Sequence, residues 1–261
     1  MGETRGLFDV DGKTVLVTGG SRGIGLMIAR GFTEAGAHVI ISSRKAEVCQ
    51  AVAAELSTVG RCEAIPVDLS STAGADELAA AVRERFPSLD ILVNNAGAVW
   101  GAPLEDYPED GFDKLWAINV KAIFRLTTAL LPALRAAATA DDPARVINIG
   151  SVDGIRVPSM EVYAYSVTKA GVHMLTRTLA HRLAGDHITV NAIAPGPFES
   201  KMMAFALDDP ATRASIEHDI PLRRIGRPDD MAGTAIYLAS RAGSYLTGAV
   251  IPVDGGLTTH G

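Results

Sequence analysis

Thr14-Val15-Leu16-Val17-Thr18-Gly19-Gly20-Ser21-Arg22-Gly23-Ile24-Gly25 is the stretch on which the reading of the whole chain turns. It begins as a short β-branched run, the pattern of a strand buried on both faces. It continues into Ile24, Met27, Ile28 and Phe32, which recur at the i, i+3, i+4 spacing of an amphipathic helix. Between the two, glycines do different jobs. Gly19 makes the tight turn, Gly23 lets backbone amides approach an anion, and Gly25 lets the helix pack closely on the strand. The N-terminus of that helix then faces the anion. A merely flexible turn would also use glycine, but the placement after a strand and before a helix favours the pyrophosphate of a dinucleotide, with Ser21, Arg22 and Ile24 at the same turn.

The rest of the chain repeats this alternation. Strand-like runs occur at Thr14 to Val17, His38 to Ser42, Ala64 to Val67, Asp90 to Val93, Arg145 to Ile149, Ile188 to Ile193 and Ala249 to Val253, with helical patterns between them, such as Val172, Leu175, Leu179 and Leu183. Strands separated by helices require right-handed parallel crossovers. The expected fold is therefore α/β: a Rossmann-type doubly wound parallel sheet of seven strands, order 3-2-1-4-5-6-7, with helices on both faces. Pro66 and Pro252 fall in the third and seventh runs, and proline cannot complete a central ladder, so both strands are expected at sheet edges. The 261 residues carry no low-complexity linker and read as a single domain. Residues 197–225, broken by prolines, form the expected substrate lid, where Met202, Met203, Phe205 and Leu207 suit either a hydrophobic tail or the packing of a short helix.

At the end of the second strand, an acid would grip a ribose 2′-hydroxyl and a cation would accept a 2′-phosphate. Ser42-Ser43-Arg44-Lys45 stands there, with Glu47 already in the next helix, and Arg22 can join Arg44 in a clamp on phosphate. NADP(H) is expected over NAD.

Tyr165 and Lys169 are i and i+4 neighbours on one helix face, and Tyr163 lies on another. A phenol of pKa about 10 is a weak acid–base catalyst at neutrality, and an adjacent ammonium is expected to make it more acidic, each tenfold change being worth about 1.4 kcal/mol. Such a phenol protonates a carbonyl oxygen as hydride reaches its carbon. Ser151 closes the fifth strand at the carboxyl edge of the sheet, where open α/β sheets bind ligands. Asn94-Asn95-Ala96-Gly97 ends the fourth strand similarly, and Asn119 follows within a helix, as a functional or a satisfied core amide.

From about Asp11 to Gly256 these residues resemble the short-chain dehydrogenase/reductase family. The resemblance implies a glycine motif at Thr18 to Gly25, an adenine pocket at Asp68 and Leu69, a cofactor-lining turn at Asn95, Ala96 and Gly97, and a catalytic tetrad of Asn119, Ser151, Tyr165 and Lys169. It implies that Tyr165 and Lys169 hold the nicotinamide ribose, that Asn119 positions a relay water, and that Pro195, Gly196 and Ser200 border the nicotinamide. Ser200 stands where the family usually has threonine, and Ser151 is one residue farther from Tyr165 than usual. Within the family the chain is most similar to bacterial 3-oxoacyl (β-ketoacyl) reductases, through Asn148 to Val152, Tyr163 to Tyr165 and Gly226-Arg227-Pro228.

Composition agrees with a soluble enzyme: 48% hydrophobic and 21% charged residues, with 30 acids against 24 bases for a net charge of −6. This balance has no general attraction for nucleic acid or an anionic membrane, so neither is expected as a partner. Cys49 and Cys62 are too few for a disulfide framework, and the histidines lack metal-ligand spacing, so no metal is expected. With no apolar leader in MGETRGLFDV, the expected address is cytoplasmic. The expected activity is NADPH-dependent reduction of a small molecule, a 3-oxoacyl thioester on a carrier, by a homotetramer. The alternatives are a sugar, polyol or steroid alcohol dehydrogenase on the same scaffold and, in another class, a non-catalytic dinucleotide sensor.

Overall fold

A computed structural model describes residues 6–200, 203 and 208–259. Seven parallel strands form one sheet in the order β3-β2-β1-β4-β5-β6-β7. They are β1 (Thr14–Thr18), β2 (His38–Ser42), β3 (Arg61–Ala64), β4 (Ile91–Asn94), β5 (Ala144–Ile149), β6 (Ile188–Pro195) and β7 (Val250–Val253). The helices are α1 (Gly23–Glu34), α2 (Ala46–Leu56), α3 (Thr72–Arg85), α4 (Glu109–Trp116), α5 (Ala122–Ala137), α6 (Tyr163–Leu183), α7 (Pro210–Asp219) and α8 (Pro228–Ala239).

The period-two geometry of the strands divides the apolar residues between two cores. Val15, Val17, Val39, Ile41 and Val93 face Ile28, Phe32, Leu56 and Met231 on one side, where α1 packs on α8. Leu16, Ile40, Leu92, Val146 and Val190 face Leu78, Leu126, Leu130 and Leu179 on the other, where α3 packs on α5. Each such fully buried aliphatic side chain contributes about 1.5–3 kcal/mol. The near-continuous apolar runs follow from this double burial. The helical run Glu109–Ala137 is long and apolar enough to cross a membrane, yet α5 lays Leu126, Leu130 and Leu134 into the second core.

The two prolines mark the sheet edges as expected. Pro252 lies in β7, whose outer side has no neighbouring strand, and Pro66 lies just beyond β3. The third strand is three residues earlier than its apolar pattern suggests. It pairs with β2 from Arg61 to Ala64 and then leaves the ladder, while Val67 and Leu69 turn into the second core. Their burial, rather than strand pairing, produced the apolar signal.

Within the expected lid, Phe198 is buried and bridges Gly226, and Met203 packs on Ile220 and Ile225, which is the packing alternative for that residue. Met202, Phe205 and Leu207 lie outside the described residues.

Candidate active site

Because all seven strands run parallel, the turns after β1, β2, β4, β5 and β6 gather at one edge of the sheet. The glycine turn is clamped there from the β4 side. Thr18 Oγ1 accepts the backbone N–H groups of Asn95 and Ala96, both at 3.0 Å, and Asn95 Nδ2 donates to the Thr18 carbonyl at 2.8 Å. Gly19 has φ +66°, and a Cβ there would lie 2.7 Å from Asn95 Nδ2. A Cβ on Gly25 would lie 2.3 Å from the Gly19 carbonyl oxygen. Any side chain at either position would fill the cradle or push it apart. Gly23 begins α1 at φ +52° and approaches Ser200, which brings the end of the β6 loop over the turn. Ser21 is buried beside it.

At the end of β2, the Ser43 hydroxyl is buried without a hydrogen-bond partner. Arg22 and Arg44 are exposed, and neither has an ion-pair partner among the described residues. An orphaned hydroxyl and two unpaired guanidiniums fit a ribose 2′-phosphate. Asp68 is exposed and caps its own turn by accepting from Ser70 N–H at 3.0 Å, while Leu69 is part of the second core. Gly196 donates to the Val253 carbonyl at 3.0 Å, so β7 supports the turn that follows Pro195.

The catalytic candidates converge from three elements. Asn119 sits in a π-helical turn, Ala117–Lys121, between α4 and α5. Its Oδ1 accepts from Ala98 N–H at 2.9 Å, and its Nδ2 donates to the Ala98 carbonyl and to Thr168 Oγ1, both at 3.0 Å. A Cβ on Gly97 would approach Asn119 Oδ1 at 3.0 Å and Lys169 Nζ at 3.8 Å, so the β4 turn is the meeting point of both side chains. Lys169 is buried and donates from Nζ to the Ile149 carbonyl at 2.8 Å, with Nζ 5.5 Å from the centre of the Tyr165 ring. The Tyr165 hydroxyl is hydrogen-bonded to Ser151. Tyr163 is separate: it donates to Glu161 at 3.0 Å and packs edge-on against Tyr107.

Electrostatics depart from the expected tuning. Burial pushes the Tyr165 phenol up to about 12, against the hydrogen bond from Ser151, and pulls the Lys169 ammonium down to about 8. Lys169 addresses a carbonyl rather than the phenol, so desolvation governs Tyr165 in this cleft. Both groups nevertheless carry their protons at neutral pH, the forms that a proton donor and its cationic support require.

Several participants were not singled out from the sequence. Thr168 braces Asn119, and Asn94 donates to Asn148, which donates to Thr176, in a buried polar chain under the site. His173, read from the sequence as a packed or surface imidazole, lies one turn beyond Lys169 and packs under Gly150 and Gly154. Asp153 sits two residues after Ser151, and its N–H donates to Ser151 Oγ at 3.1 Å. No group of three or more metal-ligating side chains occurs among the described residues.

A family model described as enoyl-(acyl carrier protein) reductase matches residues 19–258. The chain belongs to the short-chain dehydrogenase/reductase family. Among members of that family, it is 53% identical over 249 residues to the rhamnolipids biosynthesis 3-oxoacyl-[acyl-carrier-protein] reductase of Pseudomonas aeruginosa, covering 95% of this chain and 97% of that one. It is 35% identical to a 2-dehydro-3-deoxy-D-gluconate 5-dehydrogenase of Pseudoalteromonas atlantica, covering 95% and 97%. The solved Pseudomonas aeruginosa RhlG/NADP active-site complex superposes with a TM-score of 0.95 at 52% identity, covering 97% of this chain and 99% of that one.

Proposed function

We propose that this chain is an NADPH-dependent carbonyl reductase that reduces the keto group of a 3-oxoacyl thioester, with Tyr165 as the general acid. The observation that carries this reading is the convergence of Ser151, Tyr165, Lys169 and Asn119 beside the glycine turn at one sheet edge. Likeness to a relative named as a 3-oxoacyl-[acyl-carrier-protein] reductase and to a structure solved with NADP supports the substrate and the cofactor.

The amides of the turn from Gly19 to Gly25 hold the pyrophosphate, Ser43, Arg44 and Arg22 hold the 2′-phosphate, and Asp68 and Leu69 flank the adenine. Asn95, Ala96 and Gly97 line the path to the nicotinamide, which Pro195, Gly196 and Ser200 border. Bound NADPH supplies a hydride to the keto carbon. Ser151 holds the keto oxygen, and Tyr165 delivers its proton to that oxygen as negative charge develops there. Lys169 stabilises the phenolate left behind and holds the nicotinamide ribose. Asn119 holds the relay water that returns the proton. The chain acts as one domain, with residues 197–225 as its lid.

The same reading takes the acyl group as a thioester on a carrier protein or coenzyme A, in a cytoplasmic homotetramer. Trp116, Phe124, Val167 and Met174 leave apolar surface exposed on α4, α5 and α6, which supports burial against further copies. Light scattering that returned a monomer at micromolar concentration would remove the assembly.

The test of the activity is a steady-state panel of NADPH-linked reductions with acetoacetyl and longer 3-oxoacyl thioesters, keto sugars and 3-oxosteroids, compared as kcat/KM. The thioesters are expected to lead. A sugar or steroid lead would select the alternative on the same scaffold, which likeness to a gluconate dehydrogenase favours. Tight NADPH binding without turnover of any member would select a sensor.

A further inference from the structure

Ser151 caps the single helical turn Val152–Gly154 through the Asp153 N–H, and this turn lies directly on α6: a Cβ on Gly154 would sit 2.7 Å from the Lys169 carbonyl carbon. Asp153 is thereby fixed at the catalytic cluster, and its half-buried carboxyl group is hydrogen-bonded to Ser151, the residue expected to hold the substrate oxygen. The charged neighbours that act on the carboxyl are Arg156 and Lys169. Neither lies within ion-pair distance of it, and both are engaged elsewhere: Lys169 Nζ with the Ile149 carbonyl, and Arg156 Nη1 with the Leu257 carbonyl at 3.3 Å. Burial pushes the Asp153 carboxyl up, against these cations and the Ser151 hydrogen bond, and Asp153 in turn raises both Tyr165 and Lys169. The reaction as described uses Asp153 for nothing, although a part-buried carboxylate in contact with the catalytic serine is costly to keep there.

We propose that Asp153 is a specificity-determining residue, which admits ketones whose neighbouring groups are uncharged and rejects oxo acids whose carboxylate would lie beside the reacting carbonyl. This inference rests on the proposed carbonyl reduction. A carboxylate two bonds from the keto carbon would approach Asp153 in a site largely closed to water, where like charges repel far more strongly than in solution. A 3-oxoacyl ester, thioester or amide presents no such charge. A 2-keto or 5-keto sugar acid does, so the proposal also separates the thioester reading from the sugar-acid reading by chemistry.

The test compares methyl acetoacetate with acetoacetate, which differ in charge at nearly constant size, using the NADPH-loaded wild type and the Asp153→Asn and Asp153→Glu variants. The wild type is expected to prefer the ester by at least about 100-fold in kcat/KM. Asp153→Asn is expected to reduce that preference by about tenfold or more, mainly through a lower KM for the acid, and Asp153→Glu to restore it. An ester-to-acid ratio unchanged in Asp153→Asn would overturn the proposal, as would a wild type that reduces both equally well. Calorimetric binding of the two compounds to the NADP⁺-loaded proteins gives a readout independent of turnover. If the wild type reduces neither compound but Asp153→Asn binds acetoacetate about tenfold more tightly, the carbonyl-reductase reading falls and Asp153 stands as the charge filter. If binding of the acid does not change, the filter falls by itself.

Discussion

The turn after β1 and the turn after β5 occupy equivalent places, each carrying the chain from the carboxyl end of a buried strand toward a helix, yet they are built from opposite materials. The first is almost all backbone. Gly19, Gly23 and Gly25 leave amides open to an anion, and a Cβ at Gly25 would meet a carbonyl at 2.3 Å. The second is crowded with titratable side chains, since Ser151 and Asp153 meet Tyr165, Lys169 and His173 from α6. One turn binds by withholding side chains, and the other does chemistry by desolvating them. Damage to the first should appear in cofactor affinity, and damage to the second in turnover and in pH dependence.

The largest effect sharpens that contrast. Tyr165→Phe removes the donated proton but leaves the ring that packs near Lys169. Steady-state kinetics should show kcat falling by about 10²–10⁴-fold, the usual worth of general acid catalysis. NADPH affinity, measured by fluorescence titration, should stay within a few fold. Full retention of kcat would remove Tyr165 as the acid. Gly25→Ala should do the reverse. Its methyl group must displace the Gly19 carbonyl or Asn95, an overpacking that costs about 1–3 kcal/mol. NADPH binding is expected to weaken by about tenfold or more, with a smaller change in kcat at saturating cofactor. A variant of undiminished affinity would show that the cradle is not where the pyrophosphate sits.

The third prediction concerns stability at the second turn. Burial pulls His173 down to about 4 from its ordinary 6.5, with Nε2 buried and unpartnered. In the folded chain the imidazole stays neutral, whereas the unfolded chain takes up a proton below pH 6.5. The contribution is therefore complete above about pH 6.5 and is lost as pH falls toward 4, by about 3 kcal/mol at the limit. Urea midpoints measured between pH 7.5 and 4.5 should fall more steeply in the wild type than in His173→Leu. Parallel curves would mean that His173 does not titrate in this window.

The contrast also explains what could be read from the chain. Backbone devices leave local marks: Gly19 to Gly25 between an apolar run and a helical pattern is legible because every participant is contiguous, and so are the edge prolines. The Tyr165 and Lys169 pair is legible because a helix puts i and i+4 together. Thr168 bracing Asn119 and His173 under Gly150 depend on packing across elements far apart in sequence, for which no local pattern exists. The electrostatics were misjudged for the same reason. Spacing shows that an ammonium lies near a phenol, but only the folded cleft shows that Lys169 is spoken for by Ile149 and that burial outweighs it. The displaced β3 is the converse case, in which Val67 and Leu69 carry an apolar pattern that belongs to the core rather than to the ladder.

The smallest effect tests whether the first turn ends where the glycines end. Its binding surface extends, on the proposed reading, to Ser43, Arg22 and Arg44, the only part of that region built from charged side chains. Both guanidiniums are exposed to water, so each contact with a 2′-phosphate is partly screened and is worth less than its buried equivalent. A charge-assisted hydrogen bond of this kind contributes about 1.5–3 kcal/mol at most, and exposure places the effect at the lower end. Arg44→Ala should therefore weaken NADPH about tenfold while leaving NADH unchanged, so that the ratio of dissociation constants, rather than either value, reports the loss. Raising the salt concentration should shrink the same ratio in the wild type and hardly move it in the variant. An equal loss for both cofactors would show that Arg44 supports the fold of the turn, and a wild type that binds NADPH and NADH equally would leave the glycine cradle as the whole of the recognition surface.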